Sequence, residues 1–195
     1  EKIIIQFTHQ HNFEQFAVLG FSMGGKCALH LAQTMPQKIT ALWLLASDGI
    51  KTNKIYNVAV YPSWGRSLFK TTIQHPAWLF AVVNIANKLR LLSPWLKKFT
   101  YNHMETKEKR ERLYHTWISM AAFNPDINLV KKQINQHQIP VLLFFGKRDE
   151  VIPVAVGEFF AEGLSSCLLT RLERGHYFID EKINPSLTAA LQWLK

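Results

Sequence analysis

The chain has 195 residues, 48% of them apolar, which suits one packed domain or a domain with an elaborate insertion and excludes a disordered chain. Two cysteines exclude a disulfide scaffold, and no zinc spacing or C-x-x-C pair predicts a metal; no cofactor is expected. The net charge of +9 is concentrated in residues 50–137, which hold 14 Lys/Arg against 4 Asp/Glu.

From the N-terminus, Ile3, Ile4 and Phe7 fall at helical spacing, but the piece over 1–9 is too short for the spacing to separate helix from strand. His9 and His11 follow; with no third partner in sight they read as turn histidines. Phe16-Ala17-Val18-Leu19 is a short apolar run predicting a buried strand within 13–20. Gly20-Phe21-Ser22-Met23-Gly24-Gly25 comes next, and then Cys27, Ala28, Leu31, Ala32 and Met35 recur at helical spacing until Pro36. Ser22 is therefore placed on a sharp strand-to-helix turn, exposed and beside the positive end of a helix, with Gly20 and Gly24 expected to make room. A serine so placed is a candidate nucleophile; the plain alternative is a glycine-rich turn with an incidental serine.

Such a serine needs a base, and the base an orienting acid. Ile39–Ala46 predicts the next strand, ending at Asp48-Gly49, a turn pair. Beyond a long middle segment, Ile139–Phe145 predicts a third strand followed by Gly146-Lys147-Arg148-Asp149, and Val154–Leu164 a helix. Cys167–Glu173 predicts a fourth strand, followed by Gly175-His176-Tyr177-Phe178. Asp149 and His176 thus each follow a strand, where parallel α/β sheets gather functional groups. Asn184 and Pro185 read as N-cap and first residue of a closing helix.

The three segments GFSMGG, FFGKRDEVIP and RGHYF, in that order, resemble the α/β-hydrolase superfamily in its serine-nucleophile branch. The resemblance covers 13–48 and 139–195. It implies an α/β fold, a parallel sheet flanked by helices with an inserted helical lid. The core would be 1–49 and 138–195, and the lid 50–137. It implies Ser22 as nucleophile, His176 as general base and acid, Asp149 as the group fixing the His176 tautomer, and the backbone N–H of Met23 as an oxyanion donor. Asp48 is the rival acid, since some lipases of the superfamily place the acid after that strand. Four strands correspond to the second half of the family's sheet, so a further N-terminal segment carrying the second oxyanion donor is expected.

The middle segment is punctuated by Pro62, Pro76 and Pro94 and carries Trp64, Trp78, Trp95 and Trp117. These tryptophans either line an apolar pocket or pack the insertion on itself. Glu105–Phe123 predicts an amphipathic helix, whereas Trp78–Leu92, interrupted by Asn84, Asn87, Lys88 and Arg90, is too short to span a bilayer and is expected as a buried or lid helix. His75, His103, His115 and His137 follow no core strand and are expected at the surface or in the insertion.

The expected function is a serine hydrolase acting on a small-molecule, ester-like substrate with an apolar acyl or alcohol part. Thioester, lactone and carbon–carbon cleavage are family alternatives. The rival is a non-catalytic hydrolase-like module that binds acidic ligands or an anionic surface. The basic middle is a solvated face or a contact with anionic substrates or an anionic membrane surface; no nucleic-acid recognition motif accompanies it. No signal-type leader is present, which makes the cytoplasm the default expectation.

Overall fold

The computed structural model of the chain describes residues 1–51, 54–92 and 94–194. It divides into two compact units, one formed by 1–51 with 123–195 and the other by 52–122.

The first unit is built on four parallel strands: β1 (Phe16–Phe21), β2 (Ile39–Leu45), β3 (Val141–Gly146) and β4 (Cys167–Leu172), lying side by side in chain order. β1 pairs with β2 from Phe16 opposite Ile39 to Phe21 opposite Leu45, and β3 pairs with β4 along its whole length. Strand periodicity divides the apolar residues between the two faces of the sheet. Leu42, Leu44, Val141, Leu143 and Phe145 enter one core with α2 (Gly24–Thr34), α8 (Ile127–Gln136) and α9 (Val154–Ala161). Trp43, Leu45, Leu142 and Phe144 enter the opposite core with Phe178, Ile183 and Ala190 of the C-terminal segment. β3 is buried on both faces throughout and β2 at every residue but Thr40, as their apolar runs require.

α1 (Lys2–Gln10) precedes β1, so the short N-terminal piece is a helix and not a strand. α8 starts at the cap Asp126, whose carboxylate accepts from the Asn128 and Leu129 N–H groups, and buries Val130 and Ile134 in the α2 core. It therefore belongs to the sheet unit, although it lies inside the 50–137 segment expected as insertion. The final helix α10 (Asn184–Trp193) begins one residue earlier than its Asn-Pro signal suggests. A short 3₁₀ turn, Glu181–Ile183, leads into it, and the side-chain cap is Asp180, which accepts from the Lys182 N–H.

The second unit is all helical: α3 (Lys54–Val60), α4 (Ser63–Gln74), α5 (Ala77–Lys88), α6 (Pro94–Met104) and α7 (Lys107–Met120). Trp117 packs this unit on itself, with its ring within 5.3 Å of Tyr56 and of Phe69, and its carbonyl accepts from the Tyr56 hydroxyl. Arg110 ties α4 and α6 to α7 through the carbonyls of Ile73 and Met104. Trp64 and Trp78 are exposed instead. The Trp95 side chain lies outside the described residues. The apolar stretch expected as a buried or lid helix is α5, and only Val83 of it is buried. Among the described residues no helix is long and apolar enough to cross a membrane.

Candidate active site

The turn after β1 holds Ser22 in the left-handed region, at φ 51°, a conformation that costs a non-glycine residue of order 1–3 kcal/mol. Backbone bonds hold it there: its N–H donates to Leu45 O at 3.0 Å, and its carbonyl accepts from Gly25 N and Asp48 N, each at 2.9 Å. The bend leaves no space for side chains at two glycines. A Cβ on Gly20 would meet Gly24 O and Gly25 Cα at 2.8 Å, and one on Gly25 would meet Ser47 Oγ at 1.9 Å. Gly24, expected to be the second spacer, has nothing within 4 Å of its would-be Cβ. The packing demand falls one residue later, on Gly25.

His176 and Asp149 come from the opposite side of the sheet. Ser22 follows β1 and His176 follows β4, three strand spacings or roughly 14 Å apart. The loop after β4 therefore has to reach back over the strand ends. It is anchored by Phe178, fully buried with its ring edge-on to Phe21, and by an Arg174–Asp180 ion pair. The loop after β3 is fastened to it: Lys147 N–H donates to Leu172 O at 2.8 Å and Arg148 N–H to Arg174 O at 2.9 Å. Gly146 allows this approach, since a Cβ there would lie 2.4 Å from Arg174 O.

These anchors bring the three predicted side chains into one hydrogen-bonded line. Ser22 Oγ lies 3.1 Å from His176 Nε2, and His176 Nδ1 lies 2.8 Å from Asp149 Oδ2. Asp149 Oδ1 accepts from the backbone N–H groups of Val151 and Ile152, both at 2.8 Å, so the buried carboxylate is held from both ends. The Phe21 ring lies 5.4 Å from the imidazole and the exposed Tyr177 ring 5.2 Å from it. Tyr177 was not singled out from the sequence; its place directly after His176 was the available signal.

Met23, which caps α2, has an N–H with no acceptor among the described residues. It sits next to Ser22 at the positive end of the helix, where a developing anion is favoured. Asp48, the rival acid, is turned to other work. Its Oδ1 accepts from Gly49 N–H at 2.7 Å, and its charge supports the buried Lys26, whose ammonium burial pulls below the usual lysine range. His176 takes Asp149 as its carboxylate partner. His103 sits in the helical unit against the Phe99 ring, and burial there lowers its pKa.

A strand-ordered parallel sheet with a serine elbow after one strand and acid and imidazole loops after two others defines a class of protein. The family model described as alpha/beta hydrolase fold matches residues 1–183, and the chain belongs to that family. Among solved structures, it is similar to a hydrolase from Pseudomonas aeruginosa PA01, at TM-score 0.61 and 18% identity, covering 99% of this chain and 69% of that one. It is also similar to an alpha/beta hydrolase enzyme from the metagenome of sediments from the lagoon of Mar Chica, Morocco, at TM-score 0.57 and 17% identity, covering 98% and 67%. A third similar structure is the 2-hydroxy-6-oxo-6-phenylhexa-2,4-dienoate hydrolase of Rhodococcus sp. strain RHA1, at TM-score 0.57 and 18% identity, covering 97% and 67%. The chain thus spans about two thirds of the length of these proteins. No curated protein sequence matches it.

Proposed function

We propose that the chain is a serine hydrolase that cleaves an ester-like acyl bond through an acyl-enzyme intermediate. The observation that carries this reading is the continuous Ser22–His176–Asp149 hydrogen-bonded line. In the reactive tautomer His176 donates Nδ1–H to Asp149, which leaves Nε2 to accept the Ser22 proton as Oγ attacks the carbonyl carbon. The imidazolium formed is stabilised by the buried carboxylate. The Met23 N–H donates to the tetrahedral oxyanion, and Nε2–H then protonates the leaving alcohol as the acyl–oxygen bond breaks. Water, deprotonated by the same nitrogen, attacks the acyl-serine and releases acid and free Ser22. The Phe21 and Tyr177 rings favour a substrate with an apolar acyl or alcohol part.

A fluorophosphonate probe tests this reading, because it phosphonylates only an activated serine. Stoichiometric label on Ser22, located by peptide mass spectrometry, is the expected result. Ser22→Ala should abolish it, and His176→Ala should slow it by at least ~10³-fold with the fold unchanged by circular dichroism. Absence of label on the folded chain, or label undiminished in His176→Ala, would remove the basis for a nucleophilic serine. A non-catalytic binding module would then be the better account.

A further inference from the structure

The outer face of α5 has no use inside its own unit. Val83 is buried, and on the same inner side Phe80 packs its ring 5.3 Å from Tyr101 of α6, while Asn84 Oδ1 accepts from the Tyr101 hydroxyl at 2.8 Å. Trp78, Val82, Ile85 and Leu89 follow one another at intervals of four, three and four, which places them on a single helical stripe. All four are exposed, from 44% at Trp78 to 61% at Leu89, and Leu91 extends the series at 78%. A helix with an apolar inner face needs a polar outer one in water, so this stripe is built for contact with something apolar.

The surrounding charge says what kind of surface. Residues 52–104 contain seven Lys/Arg and no Asp or Glu, and the whole 52–122 unit holds 11 Lys/Arg against 3 Asp/Glu. Those acidic residues all lie on or just before α7, where Glu105 and Glu111 pair with Lys109 and Lys107. Lys88 closes the last turn of α5 and Arg90 follows it, both exposed and neither in an ion pair among the described residues. An apolar ridge with a terminal tryptophan, set in a field of uncompensated cations, fits the interface of an anionic bilayer, where side chains settle at headgroup depth while lysine and arginine meet lipid phosphates. A protein groove would demand a matching cavity for this convex ridge; a lipid surface demands only the sign of the charge and the apolar stripe.

We propose that α5 is a membrane-surface anchor, docking the helical unit on anionic phospholipid through Trp78, Val82, Ile85 and Leu89, with Lys88 and Arg90 at the headgroups. The inference is independent of the chemistry at Ser22.

Co-sedimentation of the full chain with extruded vesicles tests it. The protein should bind phosphatidylcholine vesicles containing about a quarter phosphatidylglycerol, bind pure phosphatidylcholine far more weakly, and release as salt is raised. Trp78→Ser combined with Ile85→Ser should lower partitioning by about tenfold or more. Lys88→Glu with Arg90→Glu should do the same for the anionic vesicles only. Because the four substituted side chains are exposed, unchanged circular dichroism and thermal midpoint are expected and separate loss of docking from loss of fold. A blue shift of tryptophan emission on anionic vesicles should shrink in Trp78→Phe. Failure to bind anionic vesicles, or binding that the Trp78/Ile85 variant retains, would overturn the proposal. Binding of polyglutamate with no binding of vesicles would overturn it in favour of an acidic protein partner.

Discussion

Gly24 and Gly25 stand side by side in the serine elbow, but the structure makes opposite demands on them. A methyl at Gly25 would sit 1.9 Å from the buried Ser47 Oγ, while at Gly24 it would meet nothing within 4 Å. Gly25→Ala should therefore destabilise by roughly 1–3 kcal/mol, as overpacking does, and Gly24→Ala should be neutral or slightly stabilising; urea denaturation of the two variants reads the contrast. The pattern of glycines around Ser22 was visible in the sequence. Which of them is compelled was not, because the colliding atom comes from Ser47 after β2, more than twenty residues away. Cys167 illustrates the same dependence on environment. Burial pushes its thiol up to about 11, from an ordinary value of 9.0. At pH 9 the folded chain should thus hold about fiftyfold less thiolate at this position than the unfolded chain. Iodoacetamide should alkylate Cys167 correspondingly slowly until urea is added, as peptide mapping would show. The sign for stability follows: between these two values the folded state keeps the proton that the unfolded state releases, so stability falls as pH rises through that window.

At the level of elements, the reach of the loop after β4 decides whether the imidazole arrives. Phe178 is the residue that pins it, fully buried in the core shared with Trp43 and Phe144 and edge-on to Phe21. Phe178→Ala should cost on the order of 3–5 kcal/mol. Under conditions where that variant is still folded, fluorophosphonate labelling of Ser22 should fall more than in a core variant of similar cost, such as Leu29→Ala on the opposite face. The strands themselves were legible, because β2 and β3 are apolar runs of strand length closed by Ser47-Asp48-Gly49 and by Gly146. The order of serine, acid and imidazole turns was legible too. Their meeting was implied by the family resemblance alone, since nothing local in Gly175-His176-Tyr177 states that the loop must travel back across the sheet. Of the two readings of α5, buried or lid helix, burial is the one that fails, and only the packing of Phe80, Val83 and Asn84 shows which side is already used. α10 starts one residue before its Asn-Pro signal suggests, directly after a 3₁₀ turn that Asp180 caps through the Lys182 N–H.

For the molecule as a whole, charge and chemistry are divided between the two units. The sheet unit, with 12 Lys/Arg and 11 Asp/Glu, is nearly neutral and contains all three members of the Ser22–His176–Asp149 line; the helical unit carries almost the entire positive excess. That asymmetry could be counted from the sequence, whereas the outward apolar stripe that gives it a direction could not. Within the sheet unit, β1 and β4 each pair on one side only among the described residues, and beside β1 Ala17, Leu19, Trp43, Leu187 and Leu191 line an open apolar groove of about 520 Å³. The nucleophile and the imidazole thus follow the two edge strands, and the loops after β3 and β4 are laced to each other. Serine and histidine follow opposite edges of a sheet that twists, so their 3.1 Å separation depends on the sheet keeping its shape as well as on the loop that spans it. A slight flattening or fraying at the β1 flank would pull hydroxyl from imidazole while every helix stayed wound. In a urea series, probe reactivity at Ser22 should accordingly vanish at lower denaturant than the far-ultraviolet dichroism, making the serine a gauge of how tightly its own scaffold is coiled.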